Sequence, residues 1–192
     1  MRKITKNRLV IMPLYETERI RIEKATLEDS PFILELLNSP GWIEFIGDRG
    51  LTTTKEATDY IQKVLIDSYV KNGYGLFKMI LKAEDKPIGL CGFVKRNFLD
   101  HADLGFALLP NYEGNGYAYE AACETMKYGL SPLKFKTIFA ITTLDNHKSI
   151  KLLNKIGLHE VGIIHPDIYD IDLLLYSNEI NYSKNKKNKE QN

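Results

Sequence analysis

The sequence predicts a mixed α+β fold: a central, twisted, mostly antiparallel sheet of about seven strands with one parallel pair, flanked by about four helices. Three observations predict it. Helical periodicity governs the first third of the chain and gives way to period-two alternation after Gly73. Strand, helix and strand then follow one another directly between Ala102 and Thr142, which implies a parallel pair. Finally, 192 residues suffice for one domain with a substantial core and are too few for two comfortable ones.

Composition narrows the function classes. A hydrophobic fraction of 44% and a charged fraction of 27% are ordinary for a globular protein, and a formal net charge of +1 supplies no general field for nucleic acid, membranes or polyanions. Any anion site must therefore be local. Cys91 and Cys123 show neither CxxC nor metal-ligand spacing, which fits a reducing cytoplasm. His101, His147, His159 and His165 likewise show no paired ligand spacing, so no metal site is expected.

Residues 1–14 read as an N-terminal extension. Arg2, Lys3, Lys6 and Arg8 precede a short apolar run that contains Pro13 and lacks a small-residue cleavage site, so no signal peptide is read; no stretch is long enough to span a bilayer. The domain covers 15–182. Residues 18–23 alternate polar and apolar, as in a half-buried strand. Thr26 or Ser30 can cap a helix with Pro31 at its first position and Phe32, Ile33, Leu36 and Leu37 as its apolar stripe, ended by Ser39-Pro40-Gly41. A loop carrying Trp42, Phe45 and Arg49 follows. Thr54-Lys55-Glu56-Ala57 opens a second helix that runs to Asn72-Gly73.

Residues 74–82, 88–96 and 102–109 read as strands joined by two hairpin connections, an antiparallel meander. After the Gly-rich turn come a helix over 117–130, ended by Ser131-Pro132, and an apolar strand over 137–142. Asp145 or Asn146 caps a further helix that carries Ile150, Leu152, Leu153 and Ile156 and stops at Gly157; strands over 159–164 and 168–176 complete the domain. The tail, 183–192, is Lys, Asn, Glu and Gln with no apolar face and reads as disordered.

One segment carries chemistry. From Leu104 through Pro110, Glu113, Gly114, Asn115 and Gly116 to Ala122, a strand, a glycine turn and a helix start succeed one another without a gap. A helix start offers unpaired N–H groups and a positive dipole end, and the glycines let several N–H groups converge on a phosphate. On its own such a turn is equally a tight strand-to-helix connection. There is no Gly-Lys-Ser/Thr for a nucleoside triphosphate loop, and Ile138 stands about twenty residues on, where a dinucleotide-binding fold requires an acid.

The element order, together with Gly114-Asn115-Gly116-Tyr117-Ala118 before Glu120-Ala121, and Asn146-His147-Lys148-Ser149-Ile150 leading to Lys155-Ile156-Gly157-Leu158, resembles the GNAT superfamily of acyl-CoA N-acyltransferases. It is similar in particular to the RimJ/RimL-type, ribosomal-protein-alanine N-acetyltransferase-like branch, over residues 15–182. The resemblance implies a GNAT fold with the parallel pair at the cofactor site and acetyl-CoA as co-substrate. The backbone of Gly114, Asn115, Gly116, Tyr117 and Ala118 would hold its pyrophosphate. The backbone of Phe106, Ala107 and Leu108 would pair with the pantetheine arm, and Asn146 would hydrogen-bond that arm from the other side. The first position of the turn motif is usually Gln or Arg in the family and is Glu113 here, so this carboxylate is expected to point to solvent.

The reaction so implied is direct attack of a primary amine on the acetyl thioester in a ternary complex. An α-amine, with a pKa of about 8, needs little help from a base; a lysine, of about 10.4, needs more. Asp103 is the candidate base, with Glu160 and Glu44 behind it, the alternative being a solvent-facing strand residue. Many family members place a Tyr as general acid seven residues after the motif's Asn; here the position is Leu153. Ser149 occupies a slot that the branch suggests for serving the leaving sulfur, and capping of the helix is its other reading. Trp42, Glu44, Phe45 and Arg49, in the first loop, are the candidate acceptor residues. The acceptor is a protein N-terminus or a small-molecule amine. A catalytically silent acetyl-CoA-binding module is the competing reading. Nucleic-acid and membrane partners are not expected, and the chain reads equally as a monomer or a homodimer.

Overall fold

The computed structural model describes residues 13–180 and residue 182. The polar tail and all but the last two residues of the N-terminal extension lie outside the described residues. The first structural feature is a hairpin of β1 (Tyr15–Glu16) and β2 (Ile20–Glu23). A 3-10 turn at Leu27–Asp29 then leads into α1 (Ser30–Leu37); Thr26 and Asp29 form a capping box, and Phe32, Ile33, Leu36 and Leu37 are buried, which is the apolar stripe expected of that helix.

Ser39-Pro40-Gly41 does not open a loop. Ser39 is extended, and Pro40, with its fixed φ and missing N–H, starts a new short helix, α2 (Pro40–Phe45), that carries Trp42. The second expected helix is continuous in space but changes pitch: α3 (Thr54–Tyr60) passes through a π-helical stretch, Ile61–Ile66, into α4 (Asp67–Asn72), and ends at left-handed Gly73.

The meander comprises β3 (Leu76–Leu81), β4 (Lys86–Val94) and β5 (Ala102–Leu108). It is followed by α5 (Tyr117–Leu130), β6 (Ile138–Thr143), α6 (His147–Lys155), β7 (His159–Ile164) and β8 (Leu173–Ser177). All eight strands join one sheet in the order β1-β2-β3-β4-β5-β6-β8-β7, antiparallel throughout except for β5 and β6. The short β1 raises the strand count above seven. The last strand starts later than expected, because Ile168 and Ile171, apolar by sequence, are exposed in the connection before β8.

Helix α5 packs on β2, β4 and β5, and α1 packs on α3. The resulting core runs from Ile20 and Ile22 through Phe77, Leu90 and Phe93 to Ala121, Leu153 and Tyr176. Burial pushes the Cys91 thiol up to about 12, so this sulfur behaves as a small core residue, held near the Thr125 hydroxyl. Among the described residues no helix is long and apolar enough to cross a membrane, and no group of acidic, His or Cys side chains could hold a metal ion.

Candidate active site

The parallel pair β5–β6 is two residues long: Ala102 faces Ile138, Asp103 faces Phe139, and then the strands part. Asp103 occupies the fork. Its Oδ1 accepts the Ile141 N–H at 3.2 Å, a donor that a continuing parallel strand would satisfy with backbone carbonyl, and its Oδ2 accepts the Arg96 Nε–H at 2.5 Å. The residue is 1% exposed, so it is not a solvent-facing strand residue. Burial raises its carboxyl above the ordinary range, with Arg96 and the Ile141 amide opposing. Oδ1 and Oδ2 each hold one donor, so the carboxylate ties β6 to Arg96 where it lines the cleft.

Between the parted strands lies a cleft of about 1340 Å³. One end is the glycine turn. Gly114 and Gly116 adopt φ of 77° and 80°; a Cβ at Gly114 would meet nothing within 4 Å, so the backbone conformation and not crowding calls for glycine there. Gly116 is the N-cap of α5 and supplies no side-chain cap, which leaves the first N–H groups of a 14-residue helix uncapped by side chain. Arg19, just before β2, braces the turn: it donates to the Asn115 carbonyl at 3.2 Å, pairs with Glu120 at 2.6 Å and covers the Tyr117 ring at 4.6 Å. The Thr17 hydroxyl also donates to Glu120.

Glu113 does not simply point to solvent. It is half-buried and its Oε2 pairs with Lys148 Nζ at 2.8 Å, so the departure from the family's usual residue is matched by a cation from α6. Asn146 caps α6, accepting the Ser149 N–H at 3.0 Å on its own Oδ1. Ser149 is therefore the capped residue and not the cap, and its hydroxyl is left to line the cleft. Leu153, where many family members carry Tyr, is buried in the same wall.

Trp42, Glu44, Phe45 and Arg49 reach the cleft from α2 and the loop after it, and α2 abuts the turn, since a Cβ on Gly41 would stand 3.6 Å from Glu113 Oε1. Trp42 is 4% exposed and its indole N–H has no hydrogen-bond partner among the described residues. Phe106, Ala107, Leu108, Gly114, Gly116, Tyr117, Ala118, Asn146 and Ser149 also line the cleft. Asn115 does not: its carbonyl turns to Arg19 and its amide donates to the Glu113 carbonyl at 3.0 Å. Glu160, the second candidate base, sits exposed on β7 outside the cleft. Tyr60, Arg96 and Tyr169 are among the cleft residues that escaped sequence reasoning, the last accepting from Arg96 Nη1 at 2.6 Å. Arg96 and Tyr169 are 73 positions apart, and no local pattern links them.

A forked parallel pair that opens onto an uncapped helix start can hold an anion at one end and an extended chain along the free strand edge. The family profile described as Acetyltransferase (GNAT) domain matches residues 19–159. The chain belongs to this family. An uncharacterized N-acetyltransferase of Bacillus licheniformis, p20, is 31% identical over 152 residues, 77% of this chain and 83% of its own. Among solved structures, the GNAT fold of this chain is shared by RimL, a ribosomal L7/L12 alpha-N-protein acetyltransferase, with a TM-score of 0.74 at 13% identity, over 88% of this chain and 95% of that one. The microcin C7 self-immunity acetyltransferase MccE, solved with acetyl-CoA and AMP, matches with a TM-score of 0.71 at 20% identity, over 85% and 94% of the two chains. The two solved structures share the fold, and by its family this chain is a GNAT N-acetyltransferase.

Proposed function

We propose that this N-acetyltransferase moves an acetyl group from acetyl-CoA to a primary amine, a protein N-terminal α-amine or a small-molecule amine, with both substrates bound in the forked cleft. One observation carries the reading: the fork between β5 and β6 runs directly into the uncapped start of α5, whose turn needs glycine at two left-handed positions. These features fit a diphosphate at the helix start and an extended arm along Phe106, Ala107 and Leu108, whose β6-facing edge has no strand partner beyond Asp103. The amide nitrogen of Asn146, its oxygen already spent on α6, is the donor left for that arm.

Bound acetyl-CoA supplies a thioester: the amine nitrogen bonds to its carbonyl carbon, the carbon–sulfur bond breaks, and the thiolate takes up the proton the amine loses. The chain supplies position and a proton path. The Ser149 hydroxyl, freed from capping by Asn146, is the group on the α6 wall to hydrogen-bond the departing sulfur. Asp103 acts as a positioning residue, holding β6 at Ile141 and Arg96 at the cleft, and water takes the first proton, that of the ammonium form, before attack, the second being the one the thiolate takes up. For an α-amine of pKa about 8 this is sufficient at neutral pH. Leu153 leaves Ser149 as the hydroxyl on α6 in place of the usual tyrosine.

The test is release of coenzyme A, followed with a thiol-reactive dye, from acetyl-CoA against peptides with free Ala, Ser or Met N-termini, amino acids, polyamines and aminoglycosides. Calorimetry of acetyl-CoA binding runs beside it. Turnover with one acceptor class is the expected result. Tight binding with no turnover on any amine would favour a silent acetyl-CoA-binding module, and no binding would overturn the placement of the cofactor.

A further inference from the structure

We infer that Lys151 and Lys155, on the face of α6 that lines the cleft, bind the phosphate monoester on the ribose of coenzyme A, so that the donor is read at its nucleotide end as well as at its thioester. The inference rests on the acetyl-transfer reading of the cleft. It gives two side chains of this chain to the monoester, apart from the backbone groups of the glycine turn that face the diphosphate.

The charges that line the cleft leave these two lysines over. Asp103 pairs with Arg96, and Glu113 pairs with Lys148. Glu44 and Arg49, both exposed, come from α2 and the loop after it, and their opposite charges cancel. Lys151 and Lys155 remain, exposed and without an ion pair among the described residues. The acids on neighbouring elements are engaged or elsewhere. On α5, Glu120 pairs with Arg19 and Glu124 with Lys127. On β7, against which α6 packs, Glu160 is exposed outside the cleft. Glu44 lies within electrostatic range of Lys148, at the other end of α6 from Lys155.

The helix sets the spacing. Positions 148, 151 and 155 share one face of α6, with the second and third about 4.5 and 10.5 Å along the axis from the first. Two contacts fix where that face lies. Lys148 Nζ meets Glu113 in the glycine turn at 2.8 Å, and Lys155 Nζ stands 4.1 Å from the centre of the Tyr119 ring, in the first turn of α5. The lysine row therefore runs beside the helix start that suits a diphosphate. A ribose bonded to that diphosphate carries its monoester one sugar ring away, and the four-carbon stem of a lysine spans such a gap.

The chemistry matches. A phosphate monoester carries about −1.5 to −2 charges at neutral pH, and lysine ammoniums suit it as compact point charges. The Tyr119 ring holds the Lys155 ammonium by its face without neutralising it, so the full charge is left for an anion. Lys155 also sits in the last turn of α6, where a cation complements the helix dipole. That role is indifferent to the nucleotide, which is what the experiment separates.

Calorimetry compares coenzyme A with dephospho-coenzyme A, which lacks only the monoester. The parent should bind coenzyme A about tenfold more tightly at low salt, and the ratio should narrow as salt rises, because both lysines are exposed. Lys151→Met and Lys155→Met should each lower the ratio, and together they should bring it toward one. Lys151→Arg with Lys155→Arg should keep it. Lys136→Met, at an exposed lysine outside the cleft, should leave it unchanged. The KM values of the two acetyl thioesters should differ by a similar ratio in the transfer assay.

Equal affinities in the parent, a ratio that survives the double Met variant, or one lost equally in Lys136→Met would overturn the inference. The two readings fail separately. A preference for coenzyme A without transfer to any amine keeps the lysines as readers and removes the enzyme, whereas transfer with equal use of both thioesters keeps the enzyme and removes the readers.

Discussion

Gly116 joins the strand edge to the helix start, and its φ of 80° puts it where only a few residue types sit without strain. Aspartate tolerates left-handed backbone better than most, so Gly116→Asp should fold while placing a carboxylate in the cradle. Acetyl-CoA affinity should fall by about two orders of magnitude or more by calorimetry, and an unchanged affinity would refute the phosphate placement. Asp103 invites a sharper test. A general base is worth about 10²–10⁴ in rate, and its loss removes the ascending limb of the pH profile. If Asp103 positions instead, Asp103→Asn should retain that limb in kcat/KM while lowering stability by about 3 kcal/mol, because Arg96 loses its buried partner. Ser149→Ala should reduce kcat by about tenfold with little effect on acetyl-CoA affinity. A kcat that stays at the parent value would reduce the hydroxyl to a bystander.

The capping box of α3 gives the element scale its own test. The Glu56 carboxylate accepts from the Thr52 and Thr53 backbone N–H groups at 2.8 and 2.9 Å and from both threonine hydroxyls. These bonds, the Thr52 backbone first, lower its pKa from 4.5 to about 2. A depressed carboxylate stabilises the fold above its unfolded pKa, and the contribution is lost as pH falls from about 4.5 toward about 2. Glu56→Gln should therefore melt below the parent at pH 7, with the gap closing as the pH is lowered beneath 4.5. This box was half legible in the sequence: Thr54-Lys55-Glu56-Ala57 marked the helix start, while the cap itself proved to be Thr53. Local signals of this kind also made α1, α5, α6 and the meander readable. What local pattern could not carry was proline's second meaning, a helix start at Pro40 where a stop was read, or the exposure of Ile168 and Ile171, which only packing decides. The site divides the same way. The glycine turn and Asn146–Ser149 are contiguous and could be read; Arg19, Arg96 and Tyr169 work through partners 101, 7 and 73 positions away, and pairing at long range leaves no periodic trace.

At the scale of the whole molecule, the sheet is two half-sheets joined through a narrow waist. β1 to β5 form one and β6, β8 and β7 the other, and the joint is two residue pairs long, supplemented by the Asp103 bond to Ile141. A ligand lying in the fork touches both halves, so its binding energy adds to the stability of the joint. At a free concentration of one hundred times its dissociation constant, a ligand that binds only the native state contributes about 2.7 kcal/mol. For a chain of this size that corresponds to about 5–10 °C in Tm. Thermal melts with and without acetyl-CoA should show such a rise for the parent and none for Gly116→Asp. The Ile141 amide should also exchange more slowly in the complex, because opening the fork would then require the ligand to leave. A rise in Tm with no added protection at Ile141 would mean that acetyl-CoA binds the turn without spanning the fork, and the arm would have to lie elsewhere than along Phe106, Ala107 and Leu108.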